Sequence, residues 1–121
     1  MKKFVILQLL ICFFCLNTNV SASNKAVEVD LFIKDHKFSP EVLELPSGKK
    51  IRITIYNQDS TIEEFESVDL KREKIILGKS KSVVILANLK PGTYEFFGEF
   101  NQDTAQGKII VTEEEKEECS K

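Results

Sequence analysis

The segment Pro91-Gly92-Thr93-Tyr94-Glu95-Phe96-Phe97-Gly98-Glu99-Phe100-Asn101-Gln102-Asp103-Thr104-Ala105-Gln106-Gly107-Lys108-Ile109-Ile110-Val111 reads as strand, loop, strand. Alternation along a strand sends Tyr94, Phe96 and Gly98 to one face and Glu95, Phe97 and Glu99 to the other. The reversal ahead of it, Lys90-Pro91-Gly92-Thr93, has Pro second and Gly third, which is the pattern of a type II turn.

The same period of two runs outward through the chain. Val27, Val29, Leu31 and Ile33 alternate with more polar neighbours, and so do Ile51, Ile53 and Ile55 with Arg52, Thr54 and Tyr56. Such runs predict half-buried strands. Val42–Leu45, Lys74–Leu77, Val83–Leu86, Tyr94–Gly98 and Lys108–Thr112 are further candidates, and Glu63–Ser67 is a weaker one. Pro46-Ser47-Gly48-Lys49 and Gly78-Lys79 supply corners. Val68–Glu73 has room for one helical turn at most. The expectation is an all-β Greek-key sandwich of seven to eight strands.

Residues 1–22 read as a secretory signal peptide: Lys2 and Lys3, an apolar run Phe4–Leu16 of 13 residues, then a small-residue exit ending at Ala22. A membrane span needs about 20 apolar residues, so the expected fate is cleavage after Ala22. The bulky residues ahead of Cys12 and Cys15 argue against lipid attachment there. Residues 23–112 then form the domain and 113–121 an acidic tail. Of the three cysteines, only Cys119 stays in the mature chain, which excludes an internal disulfide. The mature chain carries 15 Lys/Arg against 19 Asp/Glu; the tail holds the excess, and without it the balance is 13 against 14. No basic face for nucleic acid is present in that pattern. The expected location is periplasmic or secreted, with no stable membrane insertion after cleavage.

Catalytic chemistry finds little support. His36 is the one histidine, in the polar turn Lys34-Asp35-His36-Lys37 with no candidate nucleophile beside it. The reading is therefore not an enzyme. More informative is Asn57-Gln58-Asp59-Ser60-Thr61-Ile62-Glu63-Glu64-Phe65-Glu66-Ser67. In an extended chain Glu64 and Glu66 share one face, while Glu63 and Phe65 share the other, so Glu63 points toward the interior end of the domain.

The order Phe38-x-Pro40, Gly48, a strand ending at Asn57, Gly78, Pro91-Gly92-Thr93-Tyr94 and Gly107 before the last strand resembles the cupredoxin superfamily over about residues 26–112. Copper-binding members place a His after the Asn-led loop, and a Cys, a His and a Met in the loop before the final strand; a trigonal His2Cys set with a weak axial Met makes blue copper. On this chain the pattern falls on Glu63 or Glu64, Gly98, roughly Asn101 and roughly Ala105. No soft or imidazole ligand survives, which implies a cupredoxin-like domain without a type 1 copper site. Glu64-Phe65-Glu66-Ser67, Arg72-Glu73-Lys74, the run Gly92–Phe100 and Asp103-Thr104-Ala105-Gln106-Gly107 look like small exported cupredoxin-like proteins associated with high-affinity iron permeases. They are also similar to the cupredoxin module of a periplasmic iron-uptake family. The resemblance implies an accessory to iron or other metal uptake, with an inner-membrane iron permease or other uptake component as partner.

Carboxylates suit hard or borderline cations. Glu63, Glu64, Glu66, Glu99 and Asp103 are the candidate metal residues, expected at one end of the sandwich; the opposed reading makes them rim charges of a docking domain. The cofactor stays open between none and an iron or copper ion. The alternative function is a periplasmic redox or copper-binding protein with an atypical carboxylate-rich site.

Overall fold

The computed structural model describes residues 25–114; the stretch 1–22 read as a signal peptide, with Cys12 and Cys15, and the tail from residue 115, with Cys119, lie outside them. The most apolar alternation makes the centre of the first sheet. In β4 (Lys50–Asn57), Ile51, Ile53 and Ile55 are fully buried while Arg52 faces solvent. β1 (Val27–Lys34) lies parallel to it with Leu31 opposite Ile55, so both inward rows meet the same core. β2 (Lys37–Ser39) folds back antiparallel on β1, and β7 (Lys81–Ala87) pairs antiparallel with β4, giving the order β2-β1-β4-β7.

The second sheet has the order β3-β9-β8-β5-β6. It comprises β3 (Val42–Pro46), β5 (Glu63–Ser67), β6 (Arg72–Ile76), β8 (Gly92–Gly98) and β9 (Gln106–Thr112). β3 runs parallel to β9 and the other pairs are antiparallel. The architecture is the all-β sandwich expected, with nine strand segments among the described residues. The one not foreseen is the three-residue β2, which exists because Phe38 is buried.

Three phenylalanines fill the space between the sheets. Phe65 and Phe96 stack at 5.1 Å, and Phe38 meets Phe96 edge-on at 5.0 Å. Each ring is essentially buried, which is worth about 1.5–3 kcal/mol apiece. Gly107 lies opposite Phe96 across β8 and β9, and a Cβ there would fall 2.4 Å from the ring. Glycine is thus the residue that lets this ring lie across β9.

One turn differs from its sequence pattern. Gly92 has φ +156°, far from the value near +80° of a type II turn, and opens β8 directly. The corner is held instead by Tyr94, whose hydroxyl donates to the Lys90 carbonyl at 2.7 Å, as in the tyrosine corners of other sandwiches. Val68–Lys71 form a single turn, within the limit read from the sequence, and the described residues contain one 3-10 turn, Glu99–Asn101. The corner at Gly48 forms as read, with φ +69° and its N–H donating to the Leu89 carbonyl.

Strand directions bring the loops after β1, β4, β6 and β8 to one end. Gln58 N–H donates to Ile33 O and Lys79 N–H to Asp59 O. Asn57 ties the two sheets there. Its buried amide donates to the carbonyls of Thr61 (2.8 Å) and Ile76 (3.1 Å), and its Oδ1 accepts from Asp59 N–H.

Candidate functional site

Glu63 is the first residue of β5, and the period of two turns Glu63, Phe65 and Ser67 inward. Its side chain is 2 % exposed. Oε1 accepts from the backbone N–H of Phe100 (3.0 Å) and of Glu64 (3.0 Å), and Oε2 accepts from Asn101 Nδ2 (2.7 Å). Such a buried carboxylate is tolerated because its lone pairs are met.

Gly98 and Ala105 complete this cluster. Gly98 N–H donates to Ala105 O at 2.8 Å, and Ala105 N–H donates to Asn101 O at 2.8 Å, so the 98–105 segment closes on itself. A Cβ on residue 98 would sit 2.7 Å from both Glu63 Cδ and the Ala105 methyl. The four positions on which the copper ligand pattern falls are therefore neighbours in space, and the first of them is Glu63, not Glu64.

The residues do not fit copper of the blue type. That centre takes two imidazoles and a thiolate. Here stand a carboxylate whose oxygens are already engaged, a glycine, a carboxamide and a methyl group. A side chain at residue 98 would collide with the carboxylate. Among the described residues no buried side-chain nitrogen or oxygen lacks a partner, so no orphaned buried polar atom marks a metal position in this cluster.

The five candidate metal residues separate into three places. Glu64 and Glu66 face outward, and β6 brings Glu73 opposite Glu66, so that carboxylate oxygens of the three lie within 4.8 Å of one another. Desolvation pushes the Glu66 carboxyl above the usual range, reinforced by the charges of Glu73, Glu64 and Glu99. Glu99 thus borders this group. Glu63 does not join it, because strand parity sends it to the opposite face. Asp103 is exposed and lines a separate cleft of about 370 Å³ with Asp35, His36, Phe100 and Asn101.

Glu73 was not among the sequence candidates. Its signal was the hairpin itself: a turn over Val68–Lys71 pairs Ser67 with Arg72 and so Glu66 with Glu73. Asn101, where the copper pattern roughly puts its second histidine, is a donor to Glu63 instead, a role its local sequence does not mark. His36 lies exposed in the turn between β1 and β2, where it and Asp35 have φ of 57° and 51°. Asp59 holds that turn by accepting from both backbone N–H groups (2.8 and 3.0 Å), and His36 Nδ1 is 3.7 Å from its Oδ2. Those bonds, led by the His36 N–H, hold the Asp59 carboxyl below its usual range against the opposing effect of burial.

This is a two-sheet sandwich whose loops converge at one end on the positions where the copper ligand pattern falls. The profile of the family described as "Cupredoxin-like domain" matches residues 5–111, and the chain belongs to that family. It is 56 % identical over 91 residues to the uncharacterized protein RP394 of Rickettsia prowazekii (strain Madrid E), covering 75 % of this chain and 73 % of that one. Among solved structures it is similar to auracyanin A, a "blue" copper protein of Chloroflexus aurantiacus: TM-score 0.63, 13 % identity, 73 % of this chain and 100 % of that one. Amicyanin of Paracoccus versutus gives 0.56 and 17 %, over 75 % and 94 %. The metal-binding domain of the Cu(I)-exporting ATPase CopA of Streptococcus pneumoniae D39 gives 0.61 and 16 %, over 71 % and 85 %. At these identities the likeness is one of fold.

Proposed function

We propose that this chain is an exported cupredoxin-like binding module, without type 1 copper and without catalysis, that assists metal uptake, iron first, at the outer side of the inner membrane. The observation that carries the reading is Glu63: a buried carboxylate engaged by three N–H donors stands where electron transfer by blue copper would need an imidazole. Iron enters through the resemblance of the Glu64–Ser67 and Gly92–Gly107 motifs, and the carboxylates of Glu64, Glu66 and Glu73 offer oxygen donors of matching hardness. A second version, docking to a permease or other uptake component, is favoured by Phe100 and Ile62, apolar and exposed at the same end. In that version the rim charges orient the partner and bind no ion.

Thermal melting with iron and copper in both oxidation states separates these versions. Ligand that binds the folded state raises the melting temperature, by about 2.7 kcal/mol of stability at a hundredfold excess over Kd. The metal version expects such a rise with iron, lost in the double variant Glu64→Gln/Glu66→Gln. The docking version expects no rise in either protein. Copper(II) is expected to give no intense blue band in either case, because residue 98 has no thiolate. A strong band would instead favour the alternative of a copper-binding redox protein.

A further inference from the structure

The copper ligand pattern takes its residues from two pieces of chain, the segment that follows the Asn-led loop and the loop before the last strand. In this structure one side chain bonds across those two pieces. Glu63 leaves β5, and two of its three donors, Phe100 N–H and Asn101 Nδ2, belong to the 99–105 loop. We propose that the Glu63 carboxylate is a buried anionic cross-link that fixes this loop, and that Gly98 is the space it requires. The proposal rests on the reading that this end is no type 1 copper site.

Three observations converge on it. First, hydrogen bonds to an ionised acceptor are about twice as strong as neutral ones, and this acceptor is shielded from water at 2 % exposure. An apolar side chain at residue 63 would leave the Phe100 N–H and the Asn101 amide without that acceptor. Second, the cluster leaves no room for the thiol that the copper pattern would put at residue 98. A Cβ at residue 98 meets Glu63 Cδ at 2.7 Å, so a thiol there and a carboxylate at 63 cannot coexist without displacement. Third, the cross-link has an outward consequence. Phe100, whose N–H it holds, presents a half-exposed ring at the end of the sandwich. Glu63 is thus a positioning residue for whatever Phe100 meets. It is distinct from Glu64 and Glu66 of β5 and Glu73 of β6, which face the other side of the sheet.

The test reverses the polarity of the bond and follows backbone amide exchange by NMR. Asn101→Asp sets a second carboxylate against the first and is expected to speed exchange of the Phe100 amide at least tenfold relative to the core amide of Ile55. Adding Glu63→Gln turns donor into acceptor and acceptor into donor; the double variant is expected to bring Phe100 back within about threefold of the parent. Unchanged exchange in Asn101→Asp, or a double variant as open as the single one, overturns the proposal. If Asn101→Asp does not fold, Asn101→Ala removes the same bond without adding charge. A several-fold acceleration confined to residues 99–105 then supports the cross-link, and none refutes it. Absorbance of the parent protein with copper(II) is the separate check: an intense blue band sinks the underlying reading of the site whatever the exchange rates.

Discussion

Asn57→Ala tests whether one buried amide joins the two sheets. The side chain supplies two donated bonds and one accepted bond, to Thr61 O, Ile76 O and Asp59 N–H. At about 1 kcal/mol net for each, and more for a buried partner left unsatisfied, the loss is about 3 kcal/mol. A domain of this size shifts by about 4–8 °C per kcal/mol, so the melting temperature should fall by about 12 °C or more. Urea unfolding is the cleaner assay, because an unchanged slope with a lowered midpoint reports stability alone. Asn57→Asp sharpens the test, since an ionised Asp accepts only and would face two carbonyl oxygens. Its folded pKa would lie above the unfolded one, so its penalty is present above the unfolded pKa and shrinks as pH falls. A loss below about 1 kcal/mol for Asn57→Ala, or an Asp variant no worse at pH 7 than at pH 4, would refute the account.

Asp59→Ala is expected to cost about 1 kcal/mol at pH 7 through the lost turn bonds; because the folded Asp59 pKa is depressed, the gap from the parent should close as pH falls through it, read from urea midpoints at pH 7 and pH 3. Glu66→Gln has the opposite sign: the folded pKa is raised by desolvation and by Glu73, Glu64 and Glu99, so the variant should be the more stable above the usual Glu range and lose that advantage in acid. Gly107→Ala should cost about 1–3 kcal/mol, since its Cβ would meet the Phe96 ring at 2.4 Å and Glu41 O at 2.9 Å, and a neutral result would mean the ring moves freely. Mass spectrometry of exported protein should find an N-terminus near Ser23; an intact Met1 in the membrane fraction would contradict the signal-peptide reading.

What was legible from sequence was whatever a period of two determines. The inward rows Ile51, Ile53, Ile55 and Glu63, Phe65, Ser67 are buried as alternation predicts, because shifting a strand by one residue would exchange its whole face. Parity alone also placed Glu63 inward. What stayed hidden depends on pairings between distant segments. The Glu63–Asn101 bond spans 38 residues, and no local pattern marks Asn101 as a donor rather than a solvated loop residue. Asp103 was placed with the other carboxylates by shared loop position, but the 3-10 turn at Glu99–Asn101 carries it into another cleft. Gly92 misled because Pro-Gly is a strong turn pattern, while a tyrosine corner answers the same need through Tyr94 and Lys90.

The geometry also explains how the fold stands without the copper ligand set. Phe65 is two residues from Glu63 and Phe96 two residues from Gly98, so each strand that delivers a site residue also delivers a core ring on the same face. The stacked pair, with Phe38 edge-on, secures both strands independently of what stands above them; aromatic pairs add about 0.5–1.5 kcal/mol beyond burial. The strands therefore need no metal to hold their register. The loop is different, because residues 99–105 contribute few apolar groups to the core beyond Ala105. A loop of that kind needs a specific tie, and among its hydrogen bonds to the rest of the protein those from Phe100 and Asn101 end on one carboxylate. Glu63 therefore matters more to the loop than to the fold, and its replacement should loosen residues 99–105 well before it unfolds the sandwich.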